Sequence, residues 1–379
     1  MKRDIYQQDH HDFRSMVRSF TAKHIAPHVE RWDDDGLIDR ITWTSAGATG
    51  LLGIGVPTEY GGGGNPDFRY RMILMEEFTR VGANSFNAAT SVQDDLVIPY
   101  LVDLGSDEQK SRWLPSLCDG TAVGALGLTE PSAGSDLRGI RTIATRRGEE
   151  WVLNGSKIFI TNGFGADLVI VLAKTTDAMS LFLVPTDTPG FRRGSKLDKL
   201  GLRGSDTAEL FFDDLTLPAD SLLGTVGRGF VHVMERLPRE RMSIAATATA
   251  AAQAAYDRTR EHCFVRKAFG QAIGDFQATR FTLAEIATDV DVAVSFLDRT
   301  ALLLNAGELS AVDAAKAKYW LSELNSRIVD RCLQLHGGYG YMREYQIARD
   351  YADARVLPIY GGTNEIMKEI IGRDIAADS

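Results

Sequence analysis

Apolar positions in the first third of the chain recur at helical spacing. Phe13, Val17, Phe20 and Ile25 predict a helix over residues 11–32, and similar patterns predict helices over 68–81 and 86–104. Ser106-Asp107-Glu108-Gln109 has the form of a capping box and predicts a helix that ends before Asp119-Gly120. The four glycines 61–64 mark a loop. After Thr121 the period changes to two. Residues 142–145, 151–153, 157–161, 168–173, 180–184 and 208–212 read as strands, and Pro185, Pro189, Gly190, Gly201, Gly204 and Pro218 punctuate them. Asn154-Gly155 predicts a hairpin turn, because a type I′ turn needs positive φ at both central residues. Beyond Gly229 the helices lengthen, over 230–260, 276–304 and 311–335, and the Ala/Thr-rich stretch 245–255 lets neighbouring helices approach closely. The pattern predicts an α+β multidomain chain: an all-α unit over 1–121, a β-sheet or barrel unit over 122–225, and a helical bundle over 226–379.

Composition narrows the function classes. Hydrophobic residues make up 44% and charged residues 25%, which excludes a wholly disordered or fibrous chain. A net charge of -9 argues against a non-specific nucleic-acid binder, which needs a basic face for phosphates. No run of about 18 apolar residues predicts a membrane span. The first residues contain no apolar signal core, so no secretory signal is expected. Cys118, Cys263 and Cys332 lie far apart and show no CxxC spacing; neither a disulfide framework nor a metal site is expected, and a reducing, cytoplasmic location is. His10-His11 reads as a solvated pair and His336 as structural.

Four segments could carry chemistry. Leu128-Thr129-Glu130-Pro131-Ser132-Ala133-Gly134-Ser135-Asp136 offers hydroxyls and backbone N–H groups to a phosphate or polar heterocycle, or is a connecting turn. Phe159-Ile160-Thr161-Asn162-Gly163 puts an aromatic and a hydroxyl at a strand end. Gln334-Leu335-His336-Gly337-Gly338-Tyr339-Gly340-Tyr341 is glycine-rich but follows a helix, so the dinucleotide-loop mechanism does not apply. Tyr360-Gly361-Gly362-Thr363-Asn364-Glu365 leads into a helix whose first N–H groups are free for an anion.

In this order and at these separations, the segments resemble the acyl-CoA dehydrogenase family of flavoproteins, over nearly the whole chain. The most specific stretches are 127–139 and 334–353. The resemblance implies a helical N-terminal domain, a middle β domain and a C-terminal four-helix bundle. It also implies FAD bound between the last two and completed by a neighbouring subunit of a dimer or tetramer. On this basis Leu128 and Thr129 contact the flavin, Gly134 and Ser135 lie near cofactor and thioester, and Phe159, Ile160 and Thr161 line the ring. Phe159 stands where relatives often carry tryptophan; the apolar wall is kept and the indole N–H lost. Arg266, Phe269, Gln277, Gln334 and Gly338 match residues that reach the adjoining subunit's FAD, and Thr363 and Glu365 match the diphosphate end.

The implied reaction is α,β-desaturation of an acyl thioester. A carboxylate takes the α-proton, hydride passes from the β-carbon to flavin N5, and electrons go on to an electron-transfer flavoprotein. The growing charge on the thioester oxygen calls for hydrogen-bond donors, of which the Gly361 N–H is the protein's. Ser135, Arg241, Tyr360 and Gly362 complete the expected substrate contacts. Most family members carry the catalytic glutamate where this chain has Gly361. The long-chain and isovaleryl subgroups supply it instead from a C-terminal-domain helix, immediately before an arginine. That position is Glu240, followed by Arg241; Glu235 and Glu365 are the remaining candidates, and the plain alternative is an Arg236–Glu240 surface pair. The tail 359–369 also resembles the long-chain subgroup, whereas Gln93-Asp94-Asp95, on the expected pocket floor, is polar. Either those aspartates face away or the acyl group is short or polar. Three other activities stay open at this point: desaturation of an acyl group held on a carrier protein, an oxidase using oxygen, and a catalytically silent acyl-CoA or flavin binder.

Overall fold

The computed structural model describes residues 3–176 and 178–377. The N-terminal third is helical: α1 (Gln8–Phe20), α2 (Val29–Asp35), α3 (Arg40–Ala48), α4 (Phe68–Arg80), α5 (Asn84–Ser91), α6 (Ile98–Leu104) and α7 (Asp107–Cys118). The capping box forms as expected: the Gln109 N–H donates to Ser106 Oγ (3.2 Å) and the Ser106 N–H to Gln109 Oε1 (3.0 Å). The single helices expected over 11–32 and 86–104 are each interrupted by a π-helical turn, Thr21–Ile25 and Val92–Val97. The second carries Gln93, Asp94 and Asp95, all buried. His10 is buried as well, stacked on Tyr70 at 4.6 Å; the expectation of a solvated pair holds only for His11.

The middle of the chain forms one eight-stranded, mixed sheet. It comprises β1 (Gly124–Gly127), β2 (Ile143–Arg147), β3 (Glu150–Thr161), β4 (Leu168–Thr175), β5 (Ala178–Pro185), β6 (Phe191–Lys196), β7 (Thr207–Pro218) and β8 (Leu222–Leu223). β1 and β4 pair in parallel, and β3–β7 and β4–β5 are the long antiparallel ladders. The hairpin expected at Asn154-Gly155 is not there. β3 runs straight through it, and the turn to β2 falls at Gly148-Glu149, between paired Arg147 and Glu150. Gly155 serves close approach instead: a Cβ there would lie 2.7 Å from Thr142 Cα. Asn154 reaches across the sheet, donating to Asp214 Oδ1 (3.0 Å) and accepting from the Asp214 N–H (2.9 Å).

The C-terminal part contains α8 (Gly229–Val265), a small hairpin of β9 (Lys267–Ala268) and β10 (Gln271–Ala272), α9 (Gln277–Asn305), α10 (Ala311–His336), α11 (Gln346–Ala354) and α12 (Asn364–Ala377). Alanines 245, 246, 248, 252 and 255 of α8 pack with Leu321, Leu324, Ile328 and Val329 of α10, and α4 joins the same core through Met72 and Met75. The beginning of α8 belongs to another core. Val233 and Leu237 pack with Leu128, Ile170, Leu181 and Tyr100, which ties α8 to the sheet.

Candidate active site

The loop after β1 is built around one buried ion pair. The Glu130 carboxylate accepts from Lys157 Nζ (2.7 Å), the Thr142 N–H (3.0 Å) and the Arg141 N–H, while Lys157 also donates to Leu128 O (3.1 Å). Both side chains are buried. Burial pushes the Glu130 carboxyl up, but the hydrogen bonds from Lys157 and the backbone outweigh it and leave it below its usual range. Burial pushes the Lys157 ammonium down to about 8. This anchor fixes the loop from within and leaves its outer side open. Gly134 and Ser135 are exposed, and nothing stands within 4 Å of a side chain built on Gly134. Beside the loop, tied to it by Ile158 N–H to Thr129 O (3.0 Å), the β3–β7 register shifts between Lys157 and Ile160. There Phe159 takes φ +62° and is 64% exposed. A bulky residue in the left-handed region costs about 1–3 kcal/mol and marks a site rather than a packing solution. Ile160 turns its side chain into the sheet core and so does not line this ledge; Thr161 is half-buried.

The ledge adjoins the start of α8. Leu128 and Leu237 share one apolar cluster, and the Arg138 guanidinium lies 5.3 Å over the Phe230 ring. One turn beyond Leu237 stands Glu240. Its carboxylate accepts no hydrogen bond from the described residues. Burial pushes it up to about 7, against the opposing pull of Arg241 and Lys318. Burial, and then the nearby Glu240 charge, push the Tyr100 and Tyr360 hydroxyls above their usual range. Arg236 does not pair with Glu240; it meets Asp103 (3.2 Å) and Glu235 (3.5 Å), so the surface-pair alternative is not what forms. Arg241 is buried, and its Nε finds no acceptor among the described residues.

Gly361 faces Glu240. A Cβ built on Gly361 would sit 3.3 Å from Glu240 Oε1 and would collide with Ile244 Cδ1. Residues 240 and 361 therefore address the same point from opposite walls. Gly361 and Gly362 both have positive φ (+63° and +87°), and among the described residues the N–H groups of Gly361, Gly362 and Thr363 donate to no acceptor. Thr363 caps α12 through the Ile366 N–H (3.4 Å), and Glu365 stands exposed in its first turn. An exposed aromatic ledge, an open glycine loop and a row of free N–H groups at a helix start fit a flat heterocycle carrying a diphosphate.

Arg266, Phe269, Gln277, Gln334 and Gly338 are all exposed. Phe269, 94% exposed, tips the β9–β10 hairpin, and Arg266 lies 5.3 Å over the Tyr339 ring along a groove of 670 Å³. Along α8, Arg266 stands roughly 40 Å from Glu240. Arg266, and Phe269 on the hairpin that follows it, therefore stand at the far end of α8 from the Glu240 site of their own chain. His336 is structural as expected, with Nδ1 2.9 Å from Cys332 O and its ring stacked on His262 at 4.1 Å. The polar run on the π turn finds partners internally. Arg71 donates to both Asp95 oxygens (2.9 and 3.0 Å), Asp94 Oδ1 accepts the Gly53 N–H (2.6 Å), and Gln93 bridges Leu117 O (2.8 Å) and the Gly124 N–H (2.9 Å). Asp95 is thus compensated within the protein; among the described residues Asp94 keeps Oδ2 without a hydrogen bond, 3.6 Å from Arg71, and burial pushes its carboxyl up to about 6. Sequence reasoning missed Lys157, Tyr100 and Lys318, and gave Asn364 no role beyond its place in the 360–365 segment. Lys318 had a signal, since it falls on the same helical stripe as Ala314, Leu321 and Ser322.

Comparison with known proteins matches three successive domains described as those of acyl-CoA dehydrogenase: the N-terminal domain at residues 7–121, the middle domain at 125–215 and the C-terminal domain at 227–376. The long-chain specific acyl-CoA dehydrogenase of Rattus norvegicus mitochondria is 44% identical over all of this chain and 89% of its own. Among solved structures, an acyl-CoA dehydrogenase from Geobacillus kaustophilus superposes with a TM-score of 0.95 at 42% identity, covering 98% of each chain. The butyryl-CoA dehydrogenase of Megasphaera elsdenii gives 0.94 at 34% identity, covering 99% of this chain and 100% of its own. With the sheet, bundle and facing glutamate–glycine pair in place, the chain belongs to the acyl-CoA dehydrogenase family.

Proposed function

We propose that this protein is an FAD-dependent acyl-CoA dehydrogenase in which Glu240 is the base. The observation that carries the reading is the Glu240 carboxyl, raised to about 7 by burial and 3.3 Å from where a Gly361 side chain would begin. A desolvated carboxylate that titrates near working pH is suited to removing a weakly acidic proton. Gly361 contributes its free N–H to the thioester oxygen, where negative charge grows as the α-proton leaves. Tyr100 and Tyr360 stay protonated beside the base and help to keep water from it. Arg241 and Gly362 would flank the same point, and Ser135, exposed on the 128–136 loop, would offer its hydroxyl to the thioester.

Leu128, Thr129, Gly134, Phe159 and Thr161 would hold the flavin end of FAD, and the Thr363 hydroxyl with the backbone N–H groups at the start of α12, that of Glu365 included, the diphosphate end. Bound FAD supplies the acceptor for the hydride of the β-carbon. Arg266, Phe269, Gln277, Gln334 and Gly338 would reach the FAD of a neighbouring subunit, so the working form is a homodimer or homotetramer. An electron-transfer flavoprotein is the proposed acceptor; a chain in the structure of the electron transferring flavoprotein of Acidaminococcus fermentans is similar to this one, 36% identical over 99% of each. The three cysteines are free, which suits a reducing, cytoplasmic setting, and no described helix is long and apolar enough to cross a membrane.

The test is an anaerobic absorbance titration of the FAD-loaded protein with straight-chain acyl-CoAs from four to eighteen carbons, and with the same acyl groups on carrier protein. Bleaching by at least one acyl-CoA is expected. Bleaching by carrier-bound substrates alone would overturn the CoA assignment, and none at all would overturn the enzyme.

A further inference from the structure

Lys318 lies in the middle of α10 with no exposed surface. A buried ammonium is costly unless it is satisfied, and here both acceptors come from the turn that leads into α12. Nζ donates to Gly362 O (2.8 Å) and to Asn364 Oδ1 (2.9 Å). Asn364 is gripped in turn: its Nδ2 donates to Ser322 Oγ (3.1 Å) and Tyr319 O (3.4 Å). One face of α10 therefore holds the segment that carries Gly361. That segment needs holding from outside. Two consecutive glycines in the left-handed region have the greatest backbone freedom of any pair and no side chain with which to lock themselves.

We propose that Lys318 is a positioning residue for the reaction. It clamps the Gly361–Gly362 turn so that the free Gly361 N–H stays aimed at the thioester oxygen, and while protonated it places a positive charge beside Glu240. The inference rests on Glu240 being the base. The groups facing Glu240 are Arg241, Lys318, Tyr100 and Tyr360; those facing Lys318 are Arg241, Glu365, Glu240 and Glu323. Burial pushes the Lys318 ammonium down to about 8, which leaves a narrow interval in which Lys318 and Glu240 are both charged.

A packing role alone makes a different prediction from a positioning role. Stopped-flow bleaching of the FAD-loaded protein, using the acyl-CoA that bleaches the natural protein fastest, is measured from pH 6 to 9. Lys318→Met should retain FAD, lose about 10- to 100-fold in rate, and move the acid limb up by about half a pH unit or more, because a cation near the base has gone. Lys318→Arg keeps the charge, so its limb should stay in place while its rate falls. Asn364→Ala loosens the clamp but spares the charge; it should lose rate without moving the limb, and it decides the matter if Lys318→Met does not fold. Rates within about twofold of the natural protein in both Lys318→Met and Asn364→Ala, or an unmoved limb in a folded Lys318→Met, overturn the proposal. Full bleaching by Glu240→Gln would overturn the underlying base assignment instead, so the two failures are distinguishable.

Discussion

Glu240→Gln should make the protein more stable and nearly inactive, with a stability gain that grows as pH rises from about 4.5 and is complete just above neutral pH. Burial moves the carboxyl from its ordinary 4.5 to about 7. A difference of that size corresponds to about 3 kcal/mol, which access to solvent along the cleft reduces to about 2 kcal/mol. Because the folded-state value is raised, the neutral form is favoured by folding. The associated stability is fully present below pH 4.5 and lost as pH rises through about 7. Glutamine stays neutral throughout and never incurs this loss. At roughly 2.1 cal/mol/K of unfolding entropy per residue, 2 kcal/mol is about 2–3 °C in Tm for a chain of this length. The FAD-loaded variant should therefore melt about 2–3 °C above the natural protein at pH 8 and together with it at pH 4.5. In the same samples, acyl-CoA-dependent bleaching should fall by about 10²- to 10⁴-fold, the usual contribution of a positioned base. Paired thermal melts and anaerobic bleaching check both halves. A Tm at pH 8 equal to or below that of the natural protein, or bleaching within about tenfold of it, would refute the reasoning that links burial to basicity.

Other substitutions probe the walls of the site. Gly361→Glu in a Glu240→Gln background should recover little bleaching, because the new Cβ collides with Ile244 and takes a left-handed φ; adding Ile244→Ala should recover more, and equal rates in the two backgrounds would contradict the geometry. Lys157→Met strands the buried Glu130 carboxylate and should cost about 3–5 kcal/mol, with FAD content per chain falling as the 128–136 loop loosens; urea melts and the absorbance ratio report this. Phe159→Gly relieves a left-handed phenylalanine and should stabilise the FAD-free protein by about 1 kcal/mol while weakening FAD binding by titration. An FAD affinity unchanged by the loss of the ring would remove Phe159 from the ledge.

Much of the architecture was legible because it is local. The helices 68–80, 107–118, 229–265, 277–305 and 311–336 follow apolar periodicity and caps, and Glu240 with Gly361 was legible through a family resemblance that names both positions. What escaped depends on partners distant in sequence. The π turn at Val92–Val97 carries Asp94 and Asp95, whose partners Gly53 and Arg71 lie in other elements. Asn154-Gly155 looks like a turn because its composition suits one, yet Thr142 and Asp214 across the sheet explain both residues. Lys157 looks like a solvated charge until Glu130 is placed against it, and Lys318, though it falls on a buried stripe, has no visible acceptor until the Gly362 carbonyl is in place.

Pro238 stands inside α8, two residues before Glu240. Proline has no N–H, so the Met234 carbonyl goes without its helical donor at that turn. The gap coincides with a change of allegiance. Val233 and Leu237 before it belong to the sheet's oily interior, whereas Met242, Ile244 and Ala245 after it belong to that of the bundle. One rod is thus shared by two neighbours and weakened at the joint, and the proton-abstracting side chain hangs from the first turn past the seam.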